Sequence, residues 1–132
     1  MMAKDYFSQW LGIEVLEITQ GVCKLKMTVR KDMLNGFGIA HGGITYSFAD
    51  SALAFASNSH GRKAVSIETS ISHMESLHEN DVILAEAIEE KCSNKIGIYT
   101  IKITRSADNS VVALFKGTVY RTSQNWLNSE AD

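Results

Sequence analysis

The sequence predicts an α+β domain in which an antiparallel β-sheet wraps around one long central helix, and three observations carry that prediction. Residues 34–59, LNGFGIAHGGITYSFADSALAFASNS, open with glycines and continue as an alanine-rich, almost wholly apolar segment that reads as a helix covered on every side. Strand-like patterns stand both before and after it. No repeat, low-complexity stretch or interdomain linker divides the 132 residues, so they read as one domain with a polar tail at 123–132.

From the N-terminus, residues 4–11 predict a short helix with Phe7, Trp10 and Leu11 along one side, interrupted by Gly12. Residues 13–19 and 22–29 read as two strands joined at Gln20-Gly21. The second alternates Cys23, Leu25, Met27 and Val29 with Lys24, Lys26 and Thr28, which gives the hairpin one wet face. Residues 31–40 hold Asn35-Gly36 and Gly38 without sustained periodicity and form a loop that brings Asn35 close to the start of the long helix. Gly61 is the expected stop of that helix. Residues 63–74, 81–92, 98–104 and 111–121 are then strand-like, and Ala107-Asp108-Asn109-Ser110 is a polar turn that makes the last two an antiparallel hairpin. In the tail, Trp126 and Leu127 are the candidate anchors. So much sheet around one helix leaves an open edge and apolar surface, which predicts a symmetric oligomer, most simply a two-fold dimer.

Composition narrows the function. Thirteen Lys and Arg against 15 Asp and Glu give a formal net charge of −2, no footprint for nucleic acid or an anionic membrane surface. No apolar run approaches the roughly 20 residues that span a bilayer, and MMAKDYFSQW lacks the pattern of a signal peptide, so the cytoplasm is the expected location. Cys23 and Cys92 have neither metal-ligand spacing nor a disulfide-rich setting and read as reduced, mostly buried thiols. His60, His73 and His78 also lack ligand spacing, so no metal site is expected.

Two features of the long helix point to chemistry. Asp50 stands alone in an apolar segment, where an ionised carboxylate without a partner loses hydration and responds by shifting its pKa. A purely structural Asp50 would instead accept hydrogen bonds from neighbours such as Ser47 or Ser51. At the other end, His41-Gly42-Gly43 lies where the helix begins, and the unpaired backbone N–H groups there suit an anion or a developing oxyanion. Eight residues separate Gly42 from Asp50, roughly 12 Å at about 1.5 Å per residue. One small reacting group cannot touch both within one helix. Two antiparallel helices across a two-fold axis would bring Gly42 of one subunit opposite Asp50 of the other.

With Asn35-Gly36, His41-Gly42-Gly43 and Asp50 in this order and spacing, the sequence resembles the hotdog-fold acyl-CoA thioesterases, particularly their PaaI-like branch, from the first hairpin to about Thr122. The segment VALFKGTVYR also resembles the family's last strand. The resemblance implies a hotdog fold that hydrolyses an acyl-CoA thioester to free acid and coenzyme A, with an aryl-acetyl-type or medium acyl group. It implies no metal or redox cofactor, coenzyme A being part of the substrate. A homodimer is the expected minimal unit and a homotetramer, a dimer of dimers, the expected assembly.

By the same resemblance, the Gly42 N–H and the Asn35 amide hold the thioester oxygen, Asp50 either activates water or attacks the carbonyl itself, and Ser66 orients the water. His41 and Gly43 complete the binding turn, while Phe37, Tyr46, Phe48 and Met74 shape an apolar acyl pocket. After His73 the sequence departs from the family pattern: Met74 is followed by Glu75-Ser76 where many relatives carry Arg-Pro. Arg62, Lys63, Lys95 and Arg105 are candidates for coenzyme A phosphates, or else solvated surface charges. A hotdog hydratase would pair its aspartate with a histidine about five positions later, where this chain has Phe55. A non-catalytic acyl-CoA-binding hotdog protein is the alternative function.

Overall fold

The computed structural model describes residues 1–129. A 3₁₀ turn at Met2–Lys4 leads into α1 (Tyr6–Leu11), then β1 (Glu14–Thr19), β2 (Val22–Thr28), a 3₁₀ turn at Lys31–Met33, α2 (Gly42–Ser57), β3 (Arg62–His73), β4 (Val82–Cys92), β5 (Ile96–Arg105), β6 (Val111–Asn125) and α3 (Trp126–Ser129). The six strands form one antiparallel sheet in the order β1-β2-β4-β5-β6-β3, curled around α2.

Alternation decides which face meets the helix. In β2, Cys23, Leu25 and Met27 are buried; in β4, Ile83, Ala85 and Ala87; in β5, Tyr99, Ile101 and Ile103; in β6, Phe115 and Val119. Asn109 takes a left-handed conformation, φ 58°, in the turn between β5 and β6, as the polar run at 107–110 predicts. On α2 itself Thr45, Ala49, Ala52 and Ala56 form one buried stripe and Phe48, Ser51 and Phe55 a second.

The remaining stripe of α2 is not fully covered. Gly43 is exposed, and Ser47, Asp50 and Ala54 are half-buried on the same helix face. The expectation of a helix buried all round is therefore corrected, for a physical reason: one curled sheet and one short helix cannot enclose a cylinder, and the uncovered side carries the acid.

Four other expectations change. Phe7 and Trp10 are exposed rather than packed, stacking on each other with ring centroids 6.0 Å apart, with the Arg30 guanidinium 5.0 Å from the Trp10 ring; Leu11 and Ser8 face the interior instead. Every residue of β1 is exposed, so the wet face of the first hairpin includes Val15, Leu16 and Ile18. Helix α2 stops before Gly61, at Asn58, whose side chain bonds back to the Ala54 carbonyl (2.8 Å) and receives the Ala64 N–H (3.0 Å). The tail continues β6 as far as Asn125. Trp126 anchors it by donating its indole N–H to Asn58 at 2.9 Å, beneath the Lys63 ammonium, whereas Leu127 is 84% exposed.

Sheet and helix approach closely at Gly117. A Cβ on this residue would stand 2.5 Å from Leu53 Cδ2 and 3.0 Å from Cδ1, so the β6–α2 spacing depends on a missing side chain. Gly117→Ala is expected to lower stability by about 1–3 kcal/mol, the usual cost of overpacking a core. Denaturant unfolding monitored by circular dichroism checks this, and an unchanged midpoint would show that Leu53 can move aside freely.

Candidate active site

The loop before α2 is tied down from both ends. Leu34 and Ala40 form a β-bridge, the Asn35 N–H donates to the Ile39 carbonyl at 2.8 Å, and the Gly38 N–H donates back to the Asn35 carbonyl at 3.0 Å. Inside this loop the Asn35 side-chain oxygen accepts the N–H groups of Phe37 (2.9 Å) and Ile39 (3.4 Å). The oxygen end of the carboxamide is thus fixed and the NH₂ end is left to donate outward.

His41 is the N-cap of α2. Its Nδ1 accepts the Gly43 N–H at 3.2 Å, and its carbonyl accepts that of Ile44 at 2.9 Å. Gly42, the first helical residue, keeps an N–H with no acceptor in the helix. Gly42 and Asn35 line one cavity of about 280 Å³, together with Thr45, His73, Met74 and Ser76. His73 comes so near that its Nε2 lies 3.5 Å from where a Cβ on Gly42 would stand. The Glu75-Ser76 segment that departs from the family pattern forms part of the wall, held by Arg105, which meets Glu75 at 3.1 Å and donates to the Ser76 carbonyl at 2.8 Å.

Asp50 lies elsewhere. It lines a separate cleft of about 260 Å³ with Ser66, Leu53, Ala64, Val65 and Val119, which shares no residue with the first cavity. The alternative of a structural acid fails on its partners: Ser51 hydrogen-bonds Ser8 at 2.8 Å, and no hydrogen bond to Asp50 is present among the described residues. Burial pushes the Asp50 carboxyl above its ordinary pKa, and the negative charge of Asp5 adds to the rise. That second acid is placed by its own capping geometry, since Asp5 accepts the backbone N–H of Ser8 (3.0 Å) and the Ser8 hydroxyl (2.7 Å). The Ser8 proton being so used, Ser51 donates to Ser8, and this bond docks α1 against α2.

The remaining candidates divide. Met74 lines the Asn35 cavity and is 51% exposed, Phe37 is 90% exposed and lines neither space, and Phe48 is fully buried in the core. Tyr46 turns inward, its hydroxyl bonded to Thr69 and its ring edge-on to Phe115 with centroids 5.4 Å apart. Of the four basic residues weighed for phosphate, three are engaged elsewhere: Arg62 donates to the Thr122 and Asn94 carbonyls, Lys63 covers Trp126 and Arg105 holds the cavity wall. Sequence spacing missed Thr45, His73 and Asp5; the first is one turn past the HGG, a position that could have been flagged, whereas the other two arrive only through the fold.

Residues 37–112 match the family described as the Thioesterase superfamily. The chain belongs to the thioesterase superfamily. Acyl-coenzyme A thioesterase PaaI of Escherichia coli is 34% identical over 121 residues, 92% of this chain and 86% of that protein. Its solved structure, from the phenylacetic acid degradation operon, superposes with a TM-score of 0.92 at 33% identity, covering 95% of this chain and 90% of that one. A protein of Archaeoglobus fulgidus assigned to the esterases is 41% identical over 126 residues, 96% of this chain and 81% of its own length. The fold is the hotdog fold, and the chain is a PaaI-like thioester hydrolase of the acyl-CoA thioesterase and esterase family.

A thioesterase must stabilise negative charge on a carbonyl oxygen and bring a nucleophile to the adjacent carbon. In this thioesterase the donors without a partner among the described residues, Asn35 Nδ2 and Gly42 N–H, lie in one cavity and the acid without one, Asp50, in the other. The raised carboxyl pKa of Asp50 has a consequence for stability. The folded state binds the extra proton at pH values where the unfolded chain has already lost it, so stability falls as pH rises through that window and the cost persists above it. Asp50→Asn, a neutral isostere, is therefore expected to be more stable than wild type at neutral pH. The gain should vanish below about pH 3, where the aspartate is protonated in both states. Thermal melts across pH check this, and a variant less stable than wild type at pH 7 would contradict it.

Proposed function

We propose that this thioesterase hydrolyses aryl-acetyl-type or medium acyl-CoA thioesters in a site shared by two subunits. The observation that carries the proposal is the separation of donors and acid into two cavities, one at the N-terminal end of α2 and one on the uncovered stripe at Asp50 and Ala54. Asn35 and Gly42 of one subunit bind the thioester oxygen, and Asp50 of the other works on its carbon. Strand β3 supports the pairing: it is bonded to β6 on one side only, and Val65 and Ile67 are 54% and 59% exposed beside that free edge. Two such edges meeting about a two-fold axis extend the sheet and lay the helices antiparallel, stripe to stripe. A homodimer is then the working unit. The outer sheet face, where Ile88 and Leu114 are about half exposed (45% and 44%), supports association of dimers into a homotetramer.

In the reaction, the oxygen of water forms a bond to the carbonyl carbon while Asp50 takes the water proton, with Ser66 in the same cleft to orient that water. The oxyanion rests on the Gly42 amide at the positive end of the helix dipole and on Asn35. Collapse breaks the carbon–sulfur bond, and the proton held by Asp50 passes to the departing thiolate. In the alternative course Asp50 attacks first, and water opens the resulting anhydride. The raised Asp50 pKa favours the role of base. Neither course requires a metal or redox cofactor, because the coenzyme A thiolate is a good leaving group. Met74 borders the acyl space on the Asn35 side. The names of the relatives, a PaaI acyl-CoA thioesterase and a phenylacetic acid degradation operon, support an aryl-acetyl substrate and a cytoplasmic place beside coenzyme A metabolism. No helix among the described residues is long and apolar enough to cross a membrane.

Thiol release across a panel of acyl-CoA thioesters tests the function. The panel should show turnover with a preference for aryl-acetyl or medium acyl groups. Asp50→Ala should lower turnover by at least ~10²-fold. Asn35→Ala should cost ~2–4 kcal/mol in kcat with little change in binding. Tight acyl-CoA binding without thiol release would instead make the chain a non-catalytic acyl-CoA-binding protein.

A further inference from the structure

A cluster with no part in the thioester site lies beyond the C-terminal end of α2. A ring nitrogen of His60, a carboxylate oxygen of Glu89 and Cys92 Sγ all lie within 4.8 Å of one another, and all three residues are half-buried. They line neither of the two cavities that hold Asn35 and Asp50. We propose that His60, Glu89 and Cys92 form a binding site for a thiophilic divalent cation of the zinc type.

The ligand set fits that ion by softness, charge and support. Imidazole, thiolate and carboxylate are the three donor types of zinc sites, and the thiolate disfavours Mg²⁺ and Ca²⁺. Cys92 as thiolate and Glu89 as carboxylate carry two negative charges, which a divalent cation neutralises. Donors bound at about 2.0–2.3 Å in a tetrahedron stand roughly 3.3–3.8 Å apart, so the 2.6 Å His60–Glu89 contact opens by less than about 1 Å while any wider separation, none above 4.8 Å, closes by a similar amount, with water in the fourth position. Glu89 is steadied from behind by the Tyr99 hydroxyl, which donates to its Oε1 at 2.6 Å, as outer-shell partners steady metal ligands. His60 already meets the same oxygen at 2.6 Å. Metal binding turns that contact into shared coordination: the imidazole proton sits on Nδ1, Nε2 faces the ion, and Cys92 releases its thiol proton.

The scaffold is rigid where it needs to be. Ser59, next to His60, donates its hydroxyl to the Ala56 carbonyl at 2.6 Å and accepts the Gly21 N–H at 2.8 Å, while the Glu89 N–H donates to the Gly21 carbonyl at 2.9 Å. The β1–β2 turn, the link from α2 to β3 and the end of β4 are thereby fastened to one another around the cluster. A cation there acts as a structural clip between the helix and the sheet, and binding to the folded state alone raises stability by mass action.

Cys92 gives a direct readout. The chain holds only two cysteines, and Cys23 is fully buried, so Cys92 is the thiol a disulfide reagent reaches in the native protein. A few equivalents of Zn²⁺ added to the chelator-treated protein should slow that reaction at least ~10-fold, while Mg²⁺ leaves it unchanged. His60→Ala and Glu89→Gln, which keep Cys92, should lose most of the protection. A rate unaffected by Zn²⁺, or protection equally strong in both variants, overturns the proposal. Should either variant fail to fold, Co²⁺ added to the wild-type protein decides: a thiolate-to-cobalt charge-transfer band, abolished by prior alkylation of Cys92, supports the site, and its absence refutes it.

Discussion

The structure turns on one uncovered helix face. A single antiparallel sheet curls far enough to bury the alanine stripe of α2 and its phenylalanine stripe, and α1 adds a cover through Ser8 and Leu11, yet Gly43, Ser47, Asp50 and Ala54 are left partly open. Exposure along that line is costly in apolar area but gives room for a carboxylate that could not be held ionised in the core. The acid lies in the middle of that line, and the amide donors Asn35 and Gly42 lie in a separate cavity at the N-terminus of the helix. Their separation, roughly 12 Å along the axis, is what the proposed pairing of two helices bridges.

The charges are graded along the helix. At its start, where the dipole is positive, His41 takes the Gly43 N–H for itself and so leaves the Gly42 amide free for a ligand oxygen. Further along, Asp50 has no hydrogen-bond donor among the described residues and feels the charge of a second carboxylate, Asp5, held in place by the capping of α1. Both influences favour the protonated acid, which is the direction a general base needs if it is to take a proton from water at neutral pH. A packing contact between Ser8 and Ser51 thus has an electrostatic effect on the site, because it fixes how near the Asp5 charge stands.

Much of the fold was legible in the sequence because its signals are local. The alternation of Cys23, Leu25 and Met27 gave β2 its buried face, and the polar run at 107–110 gave the last hairpin. Asn35, the HGG and Asp50 stood out as polar or glycine positions against an apolar background. What the sequence hid is long-range. Phe7 and Trp10 have helical spacing for packing, but the face available to α1 is filled by Ser8 and Leu11. Gly61 has the look of a helix stop, yet Asn58 ends α2 first by bonding both the Ala54 carbonyl and the Ala64 N–H. His73 beside Gly42, and His60 beside Glu89, are meetings of residues distant in the chain that no spacing rule reveals.

The central claim is that donors and acid of one site belong to different chains, and subunit mixing measures it most directly. Asn35→Ala and Asp50→Ala proteins, each strongly impaired, are dissociated, combined and reassembled. A mixed dimer then holds one site with both defects and one site with neither. About half of randomly assembled dimers are mixed, so activity should return to roughly a quarter of the wild-type value per chain. If the mixture exchanges subunits and stays as inactive as its parents, donors and acid work within one chain and the shared site is refuted.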